Sequence, residues 1–184
     1  MKPGQKFRNA LKNNKPLIIP GTINAYSAKL AEIANHNSIY LSGSGVAAAS
    51  YGLPDLGVTT LENVLIDAKR ITSATSLPLL VDIDTGWGDF DAISNTIIEM
   101  GNANVAAVHI EDQIFDKRCG HRPNKQLVSI DEMQDRLKAA LDAKIDDSFF
   151  IMARTDALAS EGIEKAIERC GKYLDCLLYT SDAA

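Results

Sequence analysis

The sequence has little cysteine, few aromatics and no long apolar run, and each shortage excludes something. Its three cysteines, Cys119, Cys170 and Cys176, are odd in number and form no C-x-x-C pair. They suggest neither a disulfide framework nor a zinc site, and they fit a reducing, cytoplasmic setting. No apolar stretch approaches the roughly 18 residues that span a bilayer. Residues 1–15 carry four Lys and one Arg but no apolar segment, so they do not read as a secretory signal. Positive charge is short as well: 19 Lys and Arg against 24 Asp and Glu leave a net charge of −5. A chain of that sign has no electrostatic footprint for a nucleic-acid backbone or an anionic membrane.

What is present is a pattern of alternation. The 184 residues are 46% apolar and 23% charged, which suits one globular domain with a sizeable core. Short apolar runs at 16–20, 38–41, 78–83, 105–110 and 149–153 read as strands. Most are nearly continuous in Val, Ile, Leu and Ala, as in parallel strands buried on both faces. Helical spacing lies between them, at 27–35, 59–74, 90–100, 129–143 and 161–173, with a lead helix at 4–12. Thr59-Thr60-Leu61-Glu62 and Ser129-Ile130-Asp131-Glu132 read as capping boxes. Such βα alternation predicts a parallel sheet with crossover helices, either an open doubly wound sheet or a (β/α)₈ barrel. Periodicity alone does not choose between them. Two long polar loops, 42–58 and 111–128, follow strand ends, where both architectures place their sites.

Ionisable residues gather at those ends. Asp82 and Asp84 are two apart on an extended segment, which predicts both side chains on one side. Paired carboxylates repel unless a cation or proton sits between them, and hard oxygens suit Mg²⁺, with Glu111 placed to join through water. The pair also fits a solvated strand end with helix-capping acids. Lys117-Arg118-Cys119-Gly120-His121-Arg122 sets a thiol among three cations and a histidine, surroundings that favour a reactive thiolate and hold an anion. A basic surface loop with an incidental cysteine is the alternative. Ser42-Gly43-Ser44-Gly45 offers backbone N–H groups for a carboxylate nest. Arg154 stands ready for a carboxylate or for Asp156. Trp87 and Phe90 read as packing residues, and Cys170 as filler in a helix.

Read in order, YLSGSG (40–45), GLPDLG (52–57), VDIDTG (81–86), HIEDQ (109–113), KRCGHRPNK (117–125) and IMARTD (151–156) resemble the 2-methylisocitrate lyase branch of the isocitrate lyase and phosphoenolpyruvate mutase superfamily. The resemblance runs from about residue 4 to 173. It implies a (β/α)₈ TIM barrel, Mg²⁺ dependence (with Mn²⁺ as an alternative ion) and a homotetramer. It implies cleavage of the tricarboxylate 2-methylisocitrate to pyruvate and succinate, in the methylcitrate cycle of propionate breakdown. Ser42, Gly43, Ser44, Gly120 and Arg154 would then bind substrate. Asp82 and Asp84 would hold the metal, supported by Asp55 and Glu111. Cys119 would be the catalytic thiol, tuned by Lys117 and His121, with Tyr40 as a candidate base for the hydroxyl proton. Other superfamily activities compete: isocitrate lyase, a phosphonate mutase or an oxaloacetate decarboxylase, or no activity in a fragment.

The family pattern covers 1–175 as the N-terminal portion of one barrel domain. Residues 176–184 resemble a translated sequencing adapter and read as a non-family, artefactual tail. Five βα units do not close an eight-stranded barrel, so free edges, apolar exposure and poor solubility or inactivity are expected of this chain.

Overall fold

Four of the five apolar runs form strands in the computed structural model, which describes residues 1–115, 117–119 and 124–181, the last four as backbone only. The strands are β1 (Ile39–Leu41), β2 (Leu79–Asp82), β3 (Ala107–Glu111) and β4 (Phe150–Arg154), all parallel in the order β1-β2-β3-β4. The run at 16–20 is not a strand. Pro16 and Pro20 have no N–H to offer a ladder. The segment contributes Pro20 O as acceptor for Tyr40 N at 2.9 Å, and Gly21 forms a single parallel bridge to Tyr40.

The helices are α1 (Pro3–Asn13), α2 (Ala25–Ile33), α3 (Gly43–Tyr51), α4 (Leu61–Ala74), α5 (Phe90–Asn102), α6 (Ile130–Asp142), α7 (Leu158–Glu161) and α8 (Ile163–Ser181). Side-chain caps fix several of their starts. Thr60 caps α4, with Asn63 as its reciprocal partner rather than Glu62. Ser129 accepts from Glu132 N at 3.1 Å to cap α6. The stretch expected as a loop after β1 is helical: Ser42 caps α3 by accepting from Gly45 N, and an Ala-rich run propagates it until Gly52 closes it at φ 64°. The helix expected to end at 173 continues through Ser181, with Cys176 buried against α6 and Leu177 packed on the core.

Period-2 alternation sorts the strand residues into two layers. Leu79, Val81, Val108, Ile110 and Ile151 face outward into the main core beneath α2, α4, α5, α6 and α8. Leu80 and Ala107 face inward onto Phe7 of α1, with Tyr40 and Phe150 packed around them. Register places these inward residues side by side: Tyr40 against Leu80, Leu80 against Ala107, Ala107 against Phe150. One step further along, Asp82 lies beside His109, and beyond that Glu111 beside Arg154. The inward face is thus apolar at the floor, where α1 plugs it, and ionisable at the C-terminal ends. This layering is that of a TIM-barrel wall, here an incomplete one.

The flanks are less covered. Tyr26, Leu30 and Ile33 make an exposed apolar stripe on α2, and Ile163, Ile167 and Leu174 make another on α8. No helix among the described residues is long and apolar enough to cross a membrane.

Candidate active site

The turn after β2 sets the site's acids. Asp84 takes a left-handed conformation, φ 48°, that a short polar side chain tolerates, and Gly86 and Trp87 also have positive φ. Asp82 and Asp84 do converge as the sequence suggested, but through this turn rather than through strand periodicity, since β2 ends at Asp82. Asp84 N donates to Asp82 Oδ1 at 3.1 Å, and Gly43 N donates to Asp82 Oδ2 at 3.3 Å. A Cβ on Gly43 would stand 3.4 Å from both carboxylates, so the start of α3 lies at van der Waals contact with them.

Lys117 is buried, and its ammonium lies 2.6 Å from Asp55 Oδ1 and 2.6 Å from Asp84 Oδ1, the latter a charge contact without hydrogen-bond alignment. Burial disfavours the ammonium, but Asp84 and Asp55 more than offset that and hold its pKa above the ordinary lysine range. Burial likewise works against the Asp55 carboxylate, yet Lys117 and the Cys119 thiol, both hydrogen-bonded to it, hold its pKa low. The thiol thus meets a carboxylate, in a cavity that Lys117 and Arg154 also line, while Arg118 is exposed.

Across the pocket, burial and the charges of Asp156, Asp84 and Asp82 raise Glu111 to about 8. Burial and Asp82 raise Asp84 to about 6. Arg154 Nη2 lies 3.3 Å from Glu111 Oε2 and 3.2 Å from Asp156 Oδ1, so it serves both partners. Tyr40 Oη is 3.0 Å from His109 Nε2 and donates to Asp82 Oδ2 at 3.4 Å. Burial and Asp82 raise the phenol's pKa, while burial lowers that of His109.

Tyr40, Ser42, Ser44, Asp55, Asp82, Glu111, Lys117, Cys119 and Arg154 line one cavity of about 380 Å³. Gly43 and Asp84 adjoin it through Asp82 and Lys117. Gly120 and His121 lie outside the described residues. Ser42, expected in an anion nest, lines the cavity and also caps α3. Trp87 packs on the core and donates to Thr59 O at 2.9 Å, whereas Phe90 and Cys170 are exposed.

The donor set bears on a cation. Among the described residues, Asp55, Asp82, Asp84, Glu111 and Asp156 are paired with Lys117, Lys125 and Arg154, with His109 beside Asp82, an excess of acid over base. Among the described residues no three of His, Cys, Asp and Glu converge on one point. Mg²⁺ does not require that: it takes one or two carboxylates and completes its shell with water and substrate oxygens. Asp82 and Asp84 fit.

Residues that the sequence did not single out matter here. Gln113, buried, reaches Glu111, Asp156 and the Arg118 backbone. Asp112, fully buried, accepts from Thr155 Oγ1, Tyr173 Oη, Arg169 and Asp156 N. A signal existed: both follow Glu111 directly at the end of an apolar run.

Parallel strands whose carboxyl ends collect an acid–cation cluster over a small cavity define a barrel-type α/β protein. Comparison with known proteins is specific. The family described as phosphoenolpyruvate phosphomutase matches residues 7–176. A 2-methylisocitrate lyase of Shewanella oneidensis is 63% identical over 171 residues, 93% of this chain and 59% of that protein. One from Escherichia coli is 57% identical over 175 residues, 94% of this chain and 59% of that protein. Among solved structures, oxaloacetate acetylhydrolase bound to 3,3-difluorooxalacetate superposes with TM-score 0.89 at 37% identity, covering 95% of this chain and 61% of that one. 2,3-Dimethylmalate lyase gives TM-score 0.88 at 35% identity, covering 96% and 60%. The chain belongs to the phosphoenolpyruvate phosphomutase family. It spans about 59% of the length of the lyases that it matches.

Proposed function

We propose that this chain carries the acid and thiol portion of a carbon–carbon lyase that cleaves 2-methylisocitrate to pyruvate and succinate. The observation that supports it is the meeting of Cys119, Asp55, Lys117 and Asp84 with Arg154 and Glu111 around one cavity, in a chain 63% identical to a 2-methylisocitrate lyase.

In this reading Arg154 grips a substrate carboxylate, and Ser42, Ser44 and the Gly43 and Gly120 backbone N–H groups bind another. Asp82 and Asp84 would hold Mg²⁺ or Mn²⁺, with Asp55 and Glu111 in support. When bound, such an ion supplies positive charge beside the substrate hydroxyl and carboxylate oxygens. Tyr40 takes the hydroxyl proton, which requires the charge of Asp82 to be offset, because that charge helps to raise the phenol's pKa. The C–C bond then breaks: the electron pair of the O–H bond becomes the carbonyl of pyruvate, and the C–C pair becomes a carbanion beside a carboxylate. Cys119 gives its thiol proton to that carbanion to form succinate. Lys117 and His121 orient the thiol's loop. A homotetramer, a cytoplasmic setting and a role in propionate breakdown belong to the same reading and rest on the resemblance.

Calorimetric titration of 2-methylisocitrate, isocitrate and oxaloacetate into the 184-residue chain with Mg²⁺ tests the proposal. Tightest binding of 2-methylisocitrate, lost in Arg154→Gln, is the expected result. Equal affinity for the three acids, or binding indifferent to Arg154, would sink it.

A further inference from the structure

The loop that bears Cys119 closes on itself at a narrow neck. Val128 N donates to Asp112 O at 2.9 Å and Ile114 N to Gln126 O at 3.0 Å, and Gln113 bridges Leu127. Gln113 sits in that neck with its side chain buried, and Arg136 of α6 donates to its carbonyl at 2.9 Å. Its amide reaches back into the loop. Arg118 N donates to Gln113 Oε1 at 3.0 Å, and Gln113 Nε2 lies 2.9 Å from Arg118 O. A side chain thereby grips both backbone groups of the residue before the thiol, as a neighbouring strand would. The same Nε2 also lies 2.9 Å from Glu111 Oε1 and 2.9 Å from Asp156 Oδ2. An amide nitrogen carries two hydrogens, so these three acceptors share two donors.

We infer that Gln113 is the positioning residue that fixes the Cys119 loop against the carboxylate and arginine side of the pocket. It does so by clamping the Arg118 backbone while it spans Glu111 and Asp156. The inference rests on the reading of Cys119 as the proton donor: a thiol that must meet a carbanion needs its backbone held, because a small misplacement of a reacting group costs large factors in rate. Gln113 does not itself line the cavity; it reaches the lining through Glu111 and reaches the thiol's neighbour through the Arg118 backbone.

The chain holds its own controls. Cys119 is half-buried in the loop, Cys170 is exposed on α8 and Cys176 is buried under α6. Iodoacetamide labelling of the full chain, resolved by peptide mass spectrometry, reports all three thiols at once. Gln113→Met keeps the volume and removes both bonds to Arg118. The Cys119 to Cys170 labelling ratio should then rise about tenfold, the scale expected when two hydrogen bonds no longer hold the loop closed, with Cys176 still protected. Gln113→Glu is isosteric and accepts from Arg118 N but donates nothing to Arg118 O, so an intermediate rise is expected. If Gln113→Met exposes Cys176, the fold has loosened and Gln113→Glu decides. An unchanged ratio in a folded variant overturns the inference, as does a rise in Cys176 equal to that of Cys119 in both. A wild-type arm with 2-methylisocitrate and Mg²⁺ separates the two readings. Failure to protect Cys119 there counts against the lyase assignment, while the ratio alone judges Gln113.

Discussion

β2 and β3 are buried at every position, whereas β4 has one buried position in five. The central pair carries Asp82, His109 and Glu111, and β4 carries Arg154, whose side chain is 35% exposed. The difference separates two electrostatic regimes on one sheet. Acids on the central strands are withheld from water, so each depends on its neighbours' charge. The arginine on the flank keeps partial solvent access while it pairs with Glu111 and Asp156.

The largest loss is expected on removing Lys117, the cation that joins Asp84, just past β2, to Asp55. Lys117→Met leaves Asp55 and Asp84 without it and should destabilise the fold by about 3–5 kcal/mol near neutral pH. Urea denaturation followed by circular dichroism measures this. A loss below about 1 kcal/mol would mean that the acids are not closed off from water.

Packing should show the same contrast on a smaller scale. Ile110→Ala, fully buried on β3, is expected to cost about 2–4 kcal/mol, and Met152→Ala, half-buried on β4, about 1 kcal/mol or less. Equal losses in the same assay would erase the distinction between centre and flank.

A pH profile sharpens it. Glu111 titrates at about 8 in the folded chain and Asp84 at about 6, both above their ordinary values. Folded protein therefore retains protons that unfolded chain has released, and stability falls as pH rises, through about 6 for Asp84 and about 8 for Glu111. Each proton contributes at most about 1.4 kcal/mol per pH unit. Between pH 6.5 and 8 the decline belongs to Glu111 and should flatten in Glu111→Gln. Saturating Mg²⁺ should flatten it too, by stabilising the carboxylates. A profile insensitive to both treatments contradicts the reading of the pocket.

The smallest effect lies on the outer flank. Ile167→Lys on the exposed stripe of α8 should change stability by no more than about 0.5 kcal/mol while reducing self-association in sedimentation velocity runs. A large loss of stability would show that the stripe is packed in solution.

Much of this architecture was legible from the chain. Continuous Val, Ile and Leu runs marked the four strands, because parallel strands buried on both faces leave no polar alternation. Thr60, Ser129 and their neighbours marked helix starts within a residue. The segment at 16–20 deceived because apolar content was weighed above the two prolines that silence its ladder. The helix α3 was hidden because glycine and serine at its start read as a loop, although Ser42 caps it and the alanines that follow are strong helix formers. Among the site residues, Asp82, Asp84, Glu111, Lys117, Cys119 and Arg154 come together as strand-end position predicted. The Gln113 clamp was not legible, because it depends on a chain reversal that brings 113 back to 118, and no periodicity encodes that.

The seating of α1 has a consequence for how the chain is made. Gly4 packs so tightly on the Ser148 backbone that a Cβ would overlap it, Arg8 donates to Ser148 O across 140 residues of chain, and Phe7 and Arg8 both meet the Phe150 ring. None of these partners exists when α1 leaves the ribosome. At about 5–20 residues per second, α1 waits roughly 7–30 s for this part of its seat to be synthesised, with only Leu80, Ala106 and Ala107 available to Phe7 before then. α1 is thus among the last elements to dock fully, and until residues 148–150 follow, it stands in need of a chaperone's cover.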